Sequence, residues 1–302
     1  MKILLTINKT YRGMLDSNYW YVYEPLMELG HEVYFYDTVS GDPTEQPFHN
    51  IVEDFKPDLI FCMMTGDPHI APNEPWEELL KETHSGRTKT FNWFCDDTWR
   101  FDKFSKAACK HFTVCSTPER THIEKYREIG YNNIIVGNWH ANAQYYKPRP
   151  FDERDIDISF VGAPTYSRKS FFDSTETPVH YFFKISQEEM FDAHTKTKIG
   201  VNLSANDNDP TRSTQMKQRL FEVPAGGGLL FTQYHPGIEE YYEIDKEIIT
   251  FESVSEYNQK VKFLLNNHKF LKHISDKGHK RFLKEHDSKI RLDKILKQVM
   301  EI

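Results

Sequence analysis

Short apolar runs recur along the chain, separated by stretches of mixed polarity with helical spacing. This alternation is how a parallel sheet covered by helices is written. In the first half, KILLTI (2–7), EVYFYD (32–37), DLIFCM (58–63), TKTFNWF (88–94), HFTVCS (111–116) and NIIVG (133–137) are predicted strands. Helices are predicted over 17–29, 46–55, 75–83 and 118–129. The stretch YYKPRPFDERD, with two prolines and mixed charges, reads as a linker. Beyond it, DIDISFVGA (155–163), VHYFFK (179–184), IGVNLS (199–204), GGLLFT (227–232) and EIITF (247–251) predict a second set of strands, again interleaved with helices. The pattern gives two α/β domains of Rossmann-like type, over residues 1–150 and 151–285, followed by a helical segment over 286–302. A chain of 302 residues is long enough for two such cores.

Charge changes the picture slightly. The formal net charge is -7 and the isoelectric point about 6.1, which argues against a protein that coats nucleic acid. From Tyr257 to Ile302, however, there are 12 Lys/Arg against 5 Asp/Glu. Such a basic segment reads as a solvated helical face, or as a surface for an anionic partner such as a phosphorylated lipid or nucleic acid. The four cysteines (Cys62, Cys95, Cys109 and Cys115) fall in no metal-ligand or disulfide spacing, which suits a reducing compartment. The opening MKILLTI is too short for a signal peptide, and no apolar run approaches the ~18 residues of a membrane span. A cytoplasmic protein without stable membrane insertion is expected.

In doubly wound sheets, ligands bind beyond the carboxyl ends of the strands. After the first strand of the second half, GAPTYSRKS offers Gly162 for a tight turn and Arg168 for an anion at a helix start. A polar loop (205–215) then leads into a predicted helix MKQRLFEVPA, in which Lys217 and Arg219 can face a diphosphate. Glu222 lies one turn beyond Arg219. A carboxylate there can accept two hydrogen bonds from a ribose diol. Gly226, Gly227 and Gly228 end that helix and would permit close approach of a ligand. His235 follows the next strand. In the first half, CDDTWR sets Asp96 and Asp97 after a strand as candidate catalytic carboxylates, or as a helix cap or partners of Arg100, with Trp99 beside them. The loop NKTYRGMLDSNYW contributes Asn8, Tyr11 and Arg12, suited to stacking on and hydrogen bonding with an acceptor. His140 lies near the expected domain junction and is a further catalytic candidate. No metal-ligand set is apparent, because adjacent aspartates diverge and no third ligand accompanies them.

The order MKQRLFEVPAGGGLLFTQYHPGIEEYYEIDKEIITF, closed by GHKRFLKEHDSKIRLDKIL, resembles the C-terminal half of the group 1 glycosyltransferases. It is most similar to the branch typified by the CgeB spore-maturation proteins, with its pattern K-x-R-x-F-E-x-P-A-x-G-G, then P-G, then K-E. FNWFCDDTWRF (91–101) and DISFVGAPTYSRKS (157–170) resemble that branch at matching places. The resemblance implies a GT-B fold: two Rossmann-like doubly wound domains facing a cleft, with the C-terminal helix crossing back to the first. It implies a nucleotide-diphosphate sugar donor, a UDP-sugar in the first instance, held by the second domain. The acceptor, a saccharide, protein or modified nucleobase hydroxyl, is held by the first. On that reading Glu222 holds the donor ribose, while Arg168 and Arg219, with Lys217, stabilise the departing diphosphate. Transfer then proceeds with retention of configuration and without metal or other cofactor, leaving Asp96 and Asp97 to position the acceptor. The sequence departs from the wider group at Thr214, where a second acidic residue is usual; Asn206, Asp207 or Asp209 would then meet the sugar hydroxyls. Two other readings compete: a GT-B-like nucleotide-binding module without transfer activity, and a transferase acting on modified DNA bases. A dinucleotide-dependent oxidoreductase is disfavoured, because TINKTYRG stands where G-x-G-x-x-G would be needed.

Overall fold

The computed structural model describes residues 1–11, 13–205 and 214–302. The chain divides into two compact units, residues 1–138 with 291–302 and residues 139–290. Unit 1 contains β1 (Lys2–Ile7), a short antiparallel hairpin of β2 (Thr10–Tyr11) and β3 (Met14–Leu15), then β4 (Glu32–Asp37), β5 (Leu59–Cys62), β6 (Lys89–Trp93), β7 (Val114–Thr117) and β8 (Ile134–Val136). The main sheet has the order β4-β1-β5-β6-β7-β8, with every neighbouring pair parallel. Unit 2 contains β9 (Ile156–Val161), β10 (His180–Phe182), β11 (Thr197–Asn202), β12 (Leu229–Gln233) and β13 (Ile249–Phe251), also parallel, in the order β10-β9-β11-β12-β13. All the strands that the apolar runs predict are present. Both units are therefore doubly wound α/β domains.

The central strands are largely apolar because both of their faces are covered. In β1, Ile3, Leu5 and Ile7 pack on one face with Leu292, Ile295, Leu296 and Val299 of the helix Ser288–Glu301. Leu4 turns to the other face, where Ile51, Val52, Leu79 and Tyr126 of three helices close the core. Unit 2 has its own core, with Phe160, Val201, Phe231 and Phe251 against Tyr257, Val261, Leu264, Leu271 and Ile274. In each unit the order of strands reverses beside the first strand, at β1/β5 and at β9/β11. This is the topological switch point at which open α/β sheets leave a crevice.

Some details differ from the sequence pattern. The predicted helix over 17–29 is a wide π-type turn (Tyr19–Tyr23) followed by a short helix Glu24–Glu28. Pro25 has no N–H to return to the preceding turn. Residues 97–111 are mostly helical, which the sequence pattern does not mark. The division between the units falls after Asn138, ahead of the proline-containing linker. Residues beyond it are tied into unit 2: Ala143 N donates to Asp287 at 2.9 Å, and Tyr145 and Tyr146 pack on Phe191 at 5.1 and 5.0 Å. Among the described residues no helix is long and apolar enough to cross a membrane.

Candidate functional site

The switch point of unit 2 lies between the ends of β9 and β11. Arg219 is the first residue of a short helix, Arg219–Ala225, that starts beside it. The helix does not begin at Met216, because Gln215 N still donates to the Ser204 carbonyl at 3.0 Å and Gln218 holds the N-cap position. Lys217 therefore precedes the helix. Arg219 Nη1 donates to the Val161 carbonyl at 3.2 Å, and its guanidinium lies 4.6 Å from the Phe160 ring centre. Arg168, from the helix Tyr166–Asp173, donates to the Ala163 carbonyl at 3.0 Å and lies 5.4 Å from the same ring. Gly162 permits this approach: a Cβ there would stand 3.1 Å from the Phe160 ring and 3.2 Å from Arg219 Nη1. Burial pulls the Arg219 pKa down to about 9, and the neighbouring Arg168 charge adds to the effect. Two guanidiniums on one aromatic ring at a strand end make a place for an anion with several oxygens.

Glu222 belongs to the same helix and is only 5% exposed. Its Oε2 lies 3.9 Å from His194 Nε2. Burial, reinforced by the Arg219 charge, holds the His194 pKa at about 3, so this contact joins a carboxylate to a neutral imidazole and is not an ion pair. No sequence motif marks His194. It is found only because the helix Gln187–Lys196 packs its buried face there.

The three glycines serve packing within the protein, which corrects the expectation of room for a ligand. A Cβ at Gly226 would meet the His194 backbone at 2.8 Å; at Gly227, Arg154 Nη2 at 2.7 Å; and at Gly228, the Thr197 carbonyl at 3.1 Å. Arg154, which the sequence does not single out, is buried and donates to the carbonyls of Thr197 (2.7 Å), Gly226 (2.9 Å) and Arg149 (3.2 Å). It closes the C-terminal end of the Arg219–Ala225 helix in place of solvent.

His235 follows β12 and is buried, with Nδ1 2.8 Å from Thr214 Oγ1. Thr214 bridges to Ala205, whose N–H donates to Gln233 Oε1 at 3.1 Å. The departure at Thr214 thus helps pin the base of the polar loop. Asn206, Asp207 and Asp209 lie outside the described residues. His140 is buried in unit 2, with Nδ1 2.7 Å from Ser288 Oγ.

In unit 1, Asp97 turns inward. It is 1% exposed and accepts from the Tyr126 hydroxyl at 2.8 Å, and burial raises its pKa. It is a structural carboxylate of the interior and not one offered to an acceptor. Asp96 is partly exposed and occupies the N-cap position, its carbonyl accepting from Trp99 and Arg100 N–H. The Arg100 guanidinium donates to the Thr65 carbonyl and lies over Phe104 at 4.2 Å and Trp99 at 5.7 Å. Asn8 is nearly buried, its Oδ1 accepting from Asn18 Nδ2 at 3.0 Å, whereas Tyr11 in β2 is 42% exposed. Arg12 lies outside the described residues. Asp16, which no motif marks, accepts from Asn18 N at 2.9 Å and Ser17 Oγ at 3.3 Å. Burial raises its pKa, with Asp37 a lesser contributor. Among the described residues no group of three His, Cys, Asp or Glu is set to hold a metal ion.

The segment holding Arg168, Arg219 and Glu222 also carries a family likeness. Residues 148–297 match the glycosyl transferase-like family. The fold as a whole is shared with solved glycosyltransferases. A glycosyltransferase from Rickettsia africae is 10% identical, with 99% of this chain and 98% of that one covered and a TM-score of 0.67. Anabaena HepE, solved with UDP, is 10% identical over 100% of both chains, with a TM-score of 0.65. An α-glucosyltransferase solved with UDP and a 13-mer DNA is 12% identical over 99% of this chain and 100% of that one, with a TM-score of 0.67. At these identities the likeness is one of fold, the GT-B fold with its two Rossmann-like domains. No curated protein sequence matches the chain.

Proposed function

We propose that the protein is a GT-B glycosyltransferase that moves a hexosyl or pentosyl group from a nucleoside-diphosphate sugar, a UDP-sugar, to a hydroxyl acceptor. The observation that carries this reading is the pair of guanidiniums, Arg168 and Arg219, on the Phe160 ring at the strand-order reversal of unit 2. It falls within the stretch that matches the glycosyl transferase-like family. As the sugar–phosphate bond breaks, negative charge grows on the departing diphosphate. A desolvated Arg219, whose pKa is pulled down by burial and by the neighbouring Arg168 charge, gains most as that charge develops. Lys217 adds positive charge ahead of the helix, Gly162 leaves the anion room, and Glu222 accepts from the ribose diol. His235 contributes to the donor wall after β12.

In this reading unit 2 (139–290) holds the donor and unit 1 (1–138 with 291–302) the acceptor, through Asn8, Tyr11, Arg12, Asp96 and Trp99, with His140 of unit 2 as a further catalytic candidate. Retention of configuration, independence from metal and membership of the CgeB-like branch follow the sequence resemblance. The HepE complex supports uridine in the donor, and the α-glucosyltransferase complex supports including DNA among candidate acceptors.

The test is UDP release from UDP-glucose and other UDP-sugars, with and without a chelator. It uses a panel of acceptors: saccharides, a protein, and an oligonucleotide with a hydroxymethylated base. UDP release insensitive to chelator is expected, falling by about 100-fold or more in Arg219→Met. Nucleotide binding without turnover on any acceptor would favour the binding-module reading. Failure to bind any nucleotide would remove the donor site altogether.

A further inference from the structure

In unit 2 the helix Val254–Asn266 runs almost directly into the helix His268–Glu285. The junction has an unusual surface. From Tyr257 to Ser275 the sequence holds Lys260, Lys262, Lys269 and Lys272, with His268 and His273, and no aspartate or glutamate. Lys260 and Lys272 pair with Glu256 and Asp276, which flank the stretch. Lys262 and Lys269 are exposed and have no ion pair among the described residues. Each is followed in sequence by a phenylalanine: Phe263 and Phe270 are 52% and 38% exposed, their rings edge-to-face at 5.5 Å. Beside the rings opens a hollow of about 530 Å³ lined by Leu265, Asn266, Asn267, His268, Lys269 and Phe270.

Two large rings held against each other in water, flanked by lysines that lack carboxylate partners, are costly to display without a use. We propose that this junction docks on an anionic lipid surface. Phe263 and Phe270 enter the boundary between headgroups and acyl chains, and Lys262 and Lys269 meet lipid phosphates. A single-stranded nucleic acid could use the same lysines. The rings, however, cross at 71° and form a wedge, not an open platform on which bases stack. The patch ends at the turn Phe151–Glu153, where Phe151 packs on His268 at 6.0 Å and Asp152 and Glu153 follow. The contact is reversible and peripheral, because one small wedge and two lysines fall well short of a spanning helix.

The experiment is co-sedimentation of the full chain with vesicles of phosphatidylcholine alone, or of phosphatidylcholine with about one-third phosphatidylglycerol. Partition onto the anionic vesicles only, weakening as salt is raised, is expected. K262Q/K269Q should lower it roughly 30-fold, at the usual contribution of about 1 kcal/mol for a lysine near a charged leaflet. F263S/F270S should abolish it while leaving the melting temperature within a few degrees, since both rings are exposed. Several outcomes would overturn the proposal: absence of binding, equal binding to both vesicle types, binding untouched by the paired variants, preferential capture by a single-stranded oligonucleotide, or a dimer in solution that F263S/F270S dissolves.

Discussion

At Gly227 the backbone has φ +72°, and an added Cβ would lie 2.7 Å from Arg154 Nη2 and 3.0 Å from Pro148. Gly227→Ala should therefore cost about 1–3 kcal/mol in urea unfolding, from left-handed strain together with overpacking. Gly86→Ala makes a control: φ is +65° there, but nothing lies within 4 Å. It should cost only the backbone part, about 1 kcal/mol. His194 supplies a pH signature. Its folded pKa, about 3, lies below the ~6.5 of an unfolded histidine. As the pH falls below ~6.5, the unfolded chain takes up a proton that the folded chain refuses, so stability is lost by up to ~1.4 kcal/mol per unit until about pH 3. Between about pH 6.5 and 4.5, His194→Gln should lose stability less steeply than the native chain; parallel curves would contradict the assignment. Residues at this scale are unevenly legible in the sequence. Arg168, Arg219 and Glu222 stand in recognisable spacings after apolar runs. Arg154 and His194 do not, because what makes them matter is the tertiary partner each meets: carbonyls from three segments for Arg154, and Glu222 for His194.

Among elements, the strands are the most legible part. The central ones are buried on both faces and so read as largely apolar runs, as in KILLTI and GGLLFT. Helix limits are less so. The first residues of MKQRLFEVPA have helical composition, but the Gln215–Ser204 backbone hydrogen bond keeps the chain from winding until Arg219. The end of that helix depends on a side chain far away in sequence. Arg154→Leu would leave three carbonyls without their buried cationic donor and should destabilise unit 2 by about 2–4 kcal/mol, read as an earlier urea midpoint. An unchanged midpoint would mean that water replaces the guanidinium there. The inward turn of Asp97 is likewise illegible from CDDTWR alone. Two adjacent aspartates after a strand look equivalent, and what distinguishes them is the Tyr126 hydroxyl across the core, with the Ser105 and Thr117 side chains.

On the scale of the whole molecule, the last helix is the part whose sequence position least suggests its structural place. Leu292, Ile295, Leu296 and Val299 complete the unit 1 core, although they follow the entire second sheet in sequence. Full burial of four such side chains is worth roughly 6–12 kcal/mol at about 1.5–3 kcal/mol each. That is comparable with the ~5–15 kcal/mol that holds an ordinary domain together. Truncation after Ile290 should therefore leave unit 1 open to limited proteolysis while unit 2 persists as a resistant fragment. Uniform digestion or uniform resistance would contradict this. The central claim, that unit 2 keeps a desolvated guanidinium waiting for a diphosphate, is tested most directly by thermal shift with UDP on the native chain and on Arg219→Met. UDP at about 100 times its dissociation constant should stabilise the native chain by ~2.7 kcal/mol, a rise of several degrees. Arg219→Met, compared with its own melting temperature without ligand, should lose the UDP shift. An undiminished UDP shift in Arg219→Met, or none in the native chain, would contradict the account.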